Sequence, residues 1–291
     1  MTDDPANGNT RRHGTGSAAR FAPILLGAGL AGAAVLLAVR AARQHPVSPD
    51  EVTYPPRDQP KQVAEGIWIV DSGPIVVACL SLPVRMTIIR LGDGDLLLHS
   101  PVRFSPDLAR RIEALGTIRH LIAPNVAHWT FLSDWQRAFP DATVWAVPGL
   151  RDRKEVRESG LVVDRDLGPA PPDAWQGEID QGIVAGAGGF REAWFFHRAS
   201  STLVLVDLIE NVEPAKLPPL TRWAMRLTGA TRDSTAFHVR SLLLLERKAA
   251  RQAVAAMVAT APSRVIFAHG RFFADDGAAR LSRAFAWLVD D

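Results

Sequence analysis

Several apolar runs in this chain stop at a residue able to bind a metal ion or move a proton. Leu96-Leu97-Leu98 leads into His99, Leu203 to Val206 into Asp207, and Val265-Ile266-Phe267-Ala268 into His269. Asn125 and His128 come just after Leu121-Ile122-Ala123. Each alone has a plain explanation: a histidine closing a strand is commonly a hydrogen-bonded structural residue, and an aspartate there is commonly a turn or helix cap. Their repetition at strand ends is the signal. In α/β proteins those ends hold loops rigidly while leaving them free of sheet pairing, so side chains from distant parts of the chain can converge there on one reaction.

The elements that must position these residues alternate. Ile67-Trp68-Ile69-Val70 and Met86-Thr87-Ile88-Ile89 read as strands, and Gly92-Asp93-Gly94 is a turn into Leu96-Leu97-Leu98. Ser105-Pro106-Asp107 has the form of an N-cap with proline in the first helical turn, followed by Leu108, Ile112 and Leu115 on one face and Gly116 as a stop. A strand at Leu121-Ile122-Ala123, a helix around Leu132 to Phe139 and a strand at Thr143-Val144-Trp145-Ala146 continue the pattern. Beyond Pro169, Pro171 and Pro172, three closely spaced runs, Ile179 to Val184, Trp194 to Phe196 and Leu203 to Val206, imply antiparallel pairing. Helices are expected over 216–228 and 247–260, and a final one carries Leu281, Phe285 and Leu288 on one face. The fold class is α/β, with sheets flanked by helices.

The chain has 291 residues and a formal net charge of +2, enough for one sizeable core. No run of Lys and Arg interleaved with aromatics appears, so no nucleic-acid footprint is expected. Cys79, the single cysteine, excludes an internal disulfide and sits among apolar residues as a packing residue would. Residues 1–20 are polar and Gly-rich and read as a disordered arm. Phe21 to Val39 carries no charge and as a helix would reach roughly 28 Å, the thickness of a bilayer's hydrocarbon. We therefore expect a transmembrane anchor over 21–42, with membrane contact through residues 21–39. A cleaved leader fits less well, because the run is long for one and Arg40 breaks the small-residue pattern that cleavage needs. Arg11, Arg12 and Arg20 on one side balance Arg40 and Arg43 on the other and assign no orientation. Residues 43–61, with five prolines, read as a stiff extended linker to a domain over 62–291.

The order of hairpin, helix, strand with histidine, late aspartate and terminal Ala268-His269-Gly270 resembles the metallo-β-lactamase superfamily over about residues 62–290. More narrowly, Leu82-Pro83-Val84-Arg85-Met86-Thr87, His99-Ser100-Pro101-Val102, Ala123-Pro124-Asn125 with His128, Phe196-His197-Arg198 and Val206-Asp207-Leu208-Ile209 resemble a little-characterised bacterial and plant branch catalogued as a domain of unknown function. The resemblance implies an αββα sandwich, here preceded by the transmembrane helix, with its site at one edge of the two sheets. Where that superfamily carries a His-x-His-x-Asp-His loop, this chain has Pro124-Asn125-Val126-Ala127-His128-Trp129. Asn125 falls about where the first histidine would be, and His128 stands in for a later one. Asp207 matches the bridging carboxylate and His269 the last histidine, while Gly186 to Gly189 supplies no histidine of its own.

The resemblance thus implies one metal at His128, Asp207 and His269, with Asn125 and His128 as catalytic residues and His99, His197 and His238 behind the ligands or facing a substrate. Three protein ligands and an open position suit zinc, with iron or manganese as alternatives. Such a centre acidifies water and polarises an ester, amide or phosphodiester. The opposing reading is a membrane-tethered binding or scaffold module without metal, whose polar strand ends hydrogen-bond one another. The substrate or protein partner is open in both. A nucleophilic serine or cysteine is not favoured, since there is no Gly-x-Ser-x-Gly turn. Leu217 to Leu227 reads as an amphipathic helix covering the sheet, with the bilayer surface as the alternative, and Trp129 and Trp135 read as core before they read as a substrate wall.

Overall fold

In the computed structural model, residues 48–77 and 80–290 are described. The expected arm, the transmembrane run Phe21 to Val39 and Cys79 lie outside them. Among the described residues, no helix is long and apolar enough to cross a membrane.

A short helix, α1 (Pro49–Val52), leads to β1 (Lys61–Ala64), β2 (Ile67–Val77), β3 (Leu80–Arg90) and β4 (Asp95–His99). Then come α2 (Pro106–Glu113), β5 (Thr117–Ala123), α3 (Leu132–Ala138), β6 (Thr143–Ala146), α4 (Lys154–Ser159) and β7 (Arg165–Asp166). These seven strands form one sheet in sequence order, antiparallel from β1 to β4 and parallel from β4 to β7. The switch follows from the connections. A tight turn joins β3 to β4, whereas a helix carries the chain from β4 to β5, as parallel pairing requires. Ser105 caps α2 as its sequence predicts, its Oγ accepting from the Leu108 amide at 3.2 Å.

The second sheet contains β8 (Ile179–Ala185), β9 (Arg191–His197), β10 (Thr202–Val204) and, after α5 (Pro219–Thr228), α6 (Phe237–Leu245) and α7 (Arg247–Val258), β11 (Arg264–Ile266). Its order is β11-β10-β9-β8. The expected antiparallel pairing of β8, β9 and β10 is present, and β11 adds alongside β10 in parallel. A last helix, α8 (Gly277–Val289), closes the fold.

Alternation along β9 shows how the layers stack. Ala193 and Phe195 face the first sheet's core, while Trp194 faces a second core shared with Val254 and Met257 of α7 and Leu281, Phe285 and Leu288 of α8. Two sheets pack face to face with helices outside, the αββα arrangement.

Three features differ from expectation. β2 and β3 are each 11 residues long, extending through Pro74 and Pro83 well beyond the runs Ile67 to Val70 and Met86 to Ile89 that the pattern reads as strands. α6 was not expected, because four consecutive leucines, Leu242 to Leu245, carry no helical period. Residues 48–60, read as an extended linker, instead lie on the domain: Val52 is fully buried with Val212, Leu217 and Met225.

Candidate metal centre

β10 and β11 are parallel neighbours, Val204 opposite Ile266, so the segments after them run side by side, and the Ala268 amide reaches the Val206 carbonyl. Asp207 and His269 emerge together from this pair. His128 arrives from the other sheet, on the loop after β5. One ligand atom from each of the three lies within 4.8 Å of the others. Asp207 Oδ1 is their meeting point, 3.1 Å from His128 Nε2 and 3.2 Å from His269 Nε2.

His269 is fixed from behind. Its Nδ1 donates to the Pro83 carbonyl at 2.7 Å, and because a carbonyl only accepts, Nδ1 carries the proton and Nε2 is left for the centre. Two residues along β3, the buried Arg85 donates through Nη1 to the carbonyls of Phe267 at 2.8 Å and Gly270 at 2.9 Å, bracketing His269. Its Nη2 lies 2.7 Å from Asp71 Oδ1, and Lys61 pairs with the other oxygen of Asp71. Gly270 is required where it stands: φ is +95°, and a Cβ would lie 2.0 Å from the Asn211 carbonyl oxygen.

His128 is oriented by Ser100, whose Oγ shares a 2.6 Å hydrogen bond with Nδ1. Asn125 is almost fully buried, and its side chain is committed to structure. Oδ1 accepts from the amides of Ala127 and His128 at 2.9 and 2.8 Å, and Nδ2 donates to Asp207 Oδ2 at 2.6 Å. It joins the His128 loop to Asp207.

Asp207 itself rides on a cradle. Glu192, wholly buried at the start of β9, accepts from the amides of Val206, Asp207 and Leu208 at 2.8, 2.9 and 3.1 Å. Burial and the nearby Asp207 charge push the Glu192 carboxyl up to about 8 against those donors. Burial works against ionised Asp207, but the charges and hydrogen bonds of His128 and His269 hold it well below the usual carboxylate range. Burial likewise opposes a charged His269, and the bond to Asp207 outweighs it, raising that imidazole to about 9. Glu210 follows three residues on; burial raises it to about 7, with His269 pulling it down and Asp207 pushing it up.

The remaining histidines part company. His99 ends β4, beside β5 and on the same side of the sheet, and is buried against Phe195 with ring centroids 5.1 Å apart. Burial first, then His128, drives it down to about 3, and its Nε2 has no hydrogen-bond partner among the described residues. His238 lies exposed in the first turn of α6, within reach of the Asp207 charge. His197 does not join the group. It bonds Ser200 Oγ at 2.8 Å at the far end of β9, about 17 Å of strand from Glu192. β9 runs opposite to β10, so its C-terminal end points away from the centre. Trp135 is core, fully buried with Nε1 on the Val102 carbonyl at 2.7 Å, and Trp129 packs partly buried against the same core.

The sequence assigns no role to Pro83, Arg85 and Ser100, which stand only within the motifs of the resemblance, and gives no notice of Glu192 and Glu210. Its place beside Arg191, directly before the apolar run Ala193-Trp194-Phe195-Phe196, is the available signal for Glu192. A groove lined by Arg57, Val84, Arg103, Phe104 and Phe131 lies beside β2 and β3, and none of the three clustered residues lines it.

Residues 64–251 match the family described as a domain of unknown function, DUF4336. A search of curated proteins finds no match. Among solved structures, a metallo-beta-lactamase from Pontibacter korlensis is similar at 12% identity and TM-score 0.55, over 79% of this chain and 98% of that one. FIM-1 from Pseudomonas aeruginosa in its mono-zinc form is 14% identical, with TM-score 0.51, over 77% and 94%. The rubredoxin oxygen:oxidoreductase of Desulfovibrio gigas is 13% identical, with TM-score 0.57, over 80% of this chain and 61% of that one. At these identities the likeness is one of fold.

Proposed function

The chain belongs to the DUF4336 family and has the metallo-β-lactamase fold, and from that premise we propose that it is a metal-dependent hydrolase with a single metal at His128, Asp207 and His269. The observation that carries this reading is the convergence of two imidazole nitrogens and a carboxylate oxygen from three separate loops within 4.8 Å. The donor set fits zinc, whose catalytic sites take three such ligands and keep one position open, and fits iron or manganese by the same chemistry. Bound there, the ion would supply Lewis acidity and an acidified water.

The chain's own residues supply the rest. Pro83 holds His269 in the tautomer that turns Nε2 inward, and Ser100 orients His128. Asn125 and Glu192 fix Asp207. His238 stands at the exposed side, where it can meet a substrate. A second metal finds little support, since the loop at 186–189 brings no histidine. The charge-free run Phe21 to Val39 supports a membrane tether for this domain.

The competing scaffold reading draws on one feature: both histidines already hydrogen-bond Asp207, so the cluster closes on itself without an ion. Metal content of the chain expressed with zinc, iron and manganese available separates the two. About one equivalent, lost in a His128→Ala, Asp207→Ala, His269→Ala variant, supports the hydrolase. No metal in either folded protein supports the scaffold.

A further inference from the structure

We propose that the outer face of α5 and α6 docks on an anionic lipid bilayer. The proposal rests on the tether reading of Phe21 to Val39 and extends it to a second contact. α5 buries Thr221 and Met225 while leaving Trp223 and Leu227, one turn apart, 63% and 65% exposed. α6 buries Val239 and Leu243 while Phe237, Leu244 and Leu245 stay 70%, 49% and 74% exposed. Of seven large apolar side chains exposed among the described residues, five are on these two helices. Single exposed apolar residues are ordinary, but a cluster of this kind marks an interaction surface.

The charge around the cluster selects the occupant. Leu227 and Phe237 line one groove together with Arg226, Arg232 and Arg240. Arg226 and Arg232 are exposed and form no ion pair among the described residues, whereas the nearby Asp233 is taken by Arg280. Apolar side chains rimmed by the Arg226 and Arg232 guanidinium groups match acyl chains below anionic headgroups. A second copy of the chain is a poorer occupant, because the same face would set Arg226 and Arg232 against their own equivalents.

The entry of the chain supports this orientation. Val52 packs with Leu217 and Met225, against the inner side of α5, and Lys216 Nζ donates to the Thr53 carbonyl at 2.9 Å. Residues 40–47 separate the apolar run from Ser48, a reach of at most ~30 Å. The tether therefore delivers the domain to the bilayer at α5.

The test is hydrogen–deuterium exchange on the full chain in nanodiscs of phosphatidylcholine alone or with phosphatidylserine. The proposal expects exchange across residues 219–245 to slow by roughly 10-fold with the anionic lipid, and an Arg226→Glu, Arg232→Glu variant to lose the slowing while β4 and β5 exchange as before. Equal exchange in both discs, slowing that survives in the variant, or slowing seen only with two chains per disc would each overturn the docking surface and leave the tether standing. A chain that elutes free of both discs overturns tether and surface together.

Discussion

His269 is tied by Nδ1 to the Pro83 carbonyl at 2.7 Å while its Nε2 lies 3.2 Å from Asp207 Oδ1, so the ring bridges the two sheets. With no metal bound, the second contact makes it a cation, raised to about 9. Its charge stabilises the apo-protein fully below the ordinary histidine value near 6.5, and that contribution is lost as pH rises through about 9. A metal takes the same Nε2 lone pair and must expel this proton. Zinc titration by calorimetry at about pH 7.5, in buffers of different ionisation enthalpy, should therefore show roughly one proton released per metal from His269, in addition to what the metal's acidified water gives up. No buffer dependence at pH 7.5 would count against His269 as a ligand.

Arg85 connects the same loop to a buried carboxylate, and its replacement should be felt twice. Arg85→Met leaves Asp71 with Lys61 alone and frees the carbonyls of Phe267 and Gly270. Loss of one partner of a buried pair costs about 3–5 kcal/mol, readable from urea unfolding. Metal affinity, measured by chelator competition, should fall by about 10- to 100-fold because His269 loses its bracket. Arg85→Lys keeps the charge but cannot serve Asp71 and both carbonyls with one fork, so it should rescue stability more than affinity. Equal rescue of both would place Arg85 in the fold alone.

How much of this was legible in sequence depended on whether a feature is local. The Ser105 cap and the turn at Gly92-Asp93-Gly94 are decided within a few residues and could be read directly. The strand-end rule brought His128, Asp207 and His269 into view because β5, β10 and β11 end on one side; His197, placed near the site only with the resemblance, lies away from it because β9 runs the other way, and strand direction is set by pairing far along the chain. Glu192, Ser100 and Arg85 were hidden for a related reason. Each acts through main-chain groups or a side chain distant in sequence, and no spacing rule marks such a partner.

Ser100 offers a cleaner perturbation than the ligands. Its hydroxyl meets His128 Nδ1 at 2.6 Å, and Ser100→Ala removes that contact without adding bulk. Loss of one such hydrogen bond should cost about 1 kcal/mol of stability while lowering metal affinity by about 10-fold or more, since the imidazole is no longer held in one orientation. Unchanged affinity in chelator competition would show that the ring is held by its other contacts.

His99 should make the fold acid-sensitive. It is buried, lacks a partner for Nε2 among the described residues, and is driven down to about 3 by burial and by His128. The native protein refuses a proton that the unfolded chain accepts below about 6.5, so stability is intact above that pH and falls as pH drops from about 6.5 towards 3. His99→Phe removes the titrating group and can keep an edge-to-face contact with Phe195. Urea unfolding at about pH 7 and about pH 4.5 should then show a smaller loss on acidification in the variant than in the parent, by a few kcal/mol at most. An unchanged difference would mean that the acid sensitivity resides elsewhere, with Asp207 the first carboxylate to test, because its depressed value also withdraws stability as pH falls.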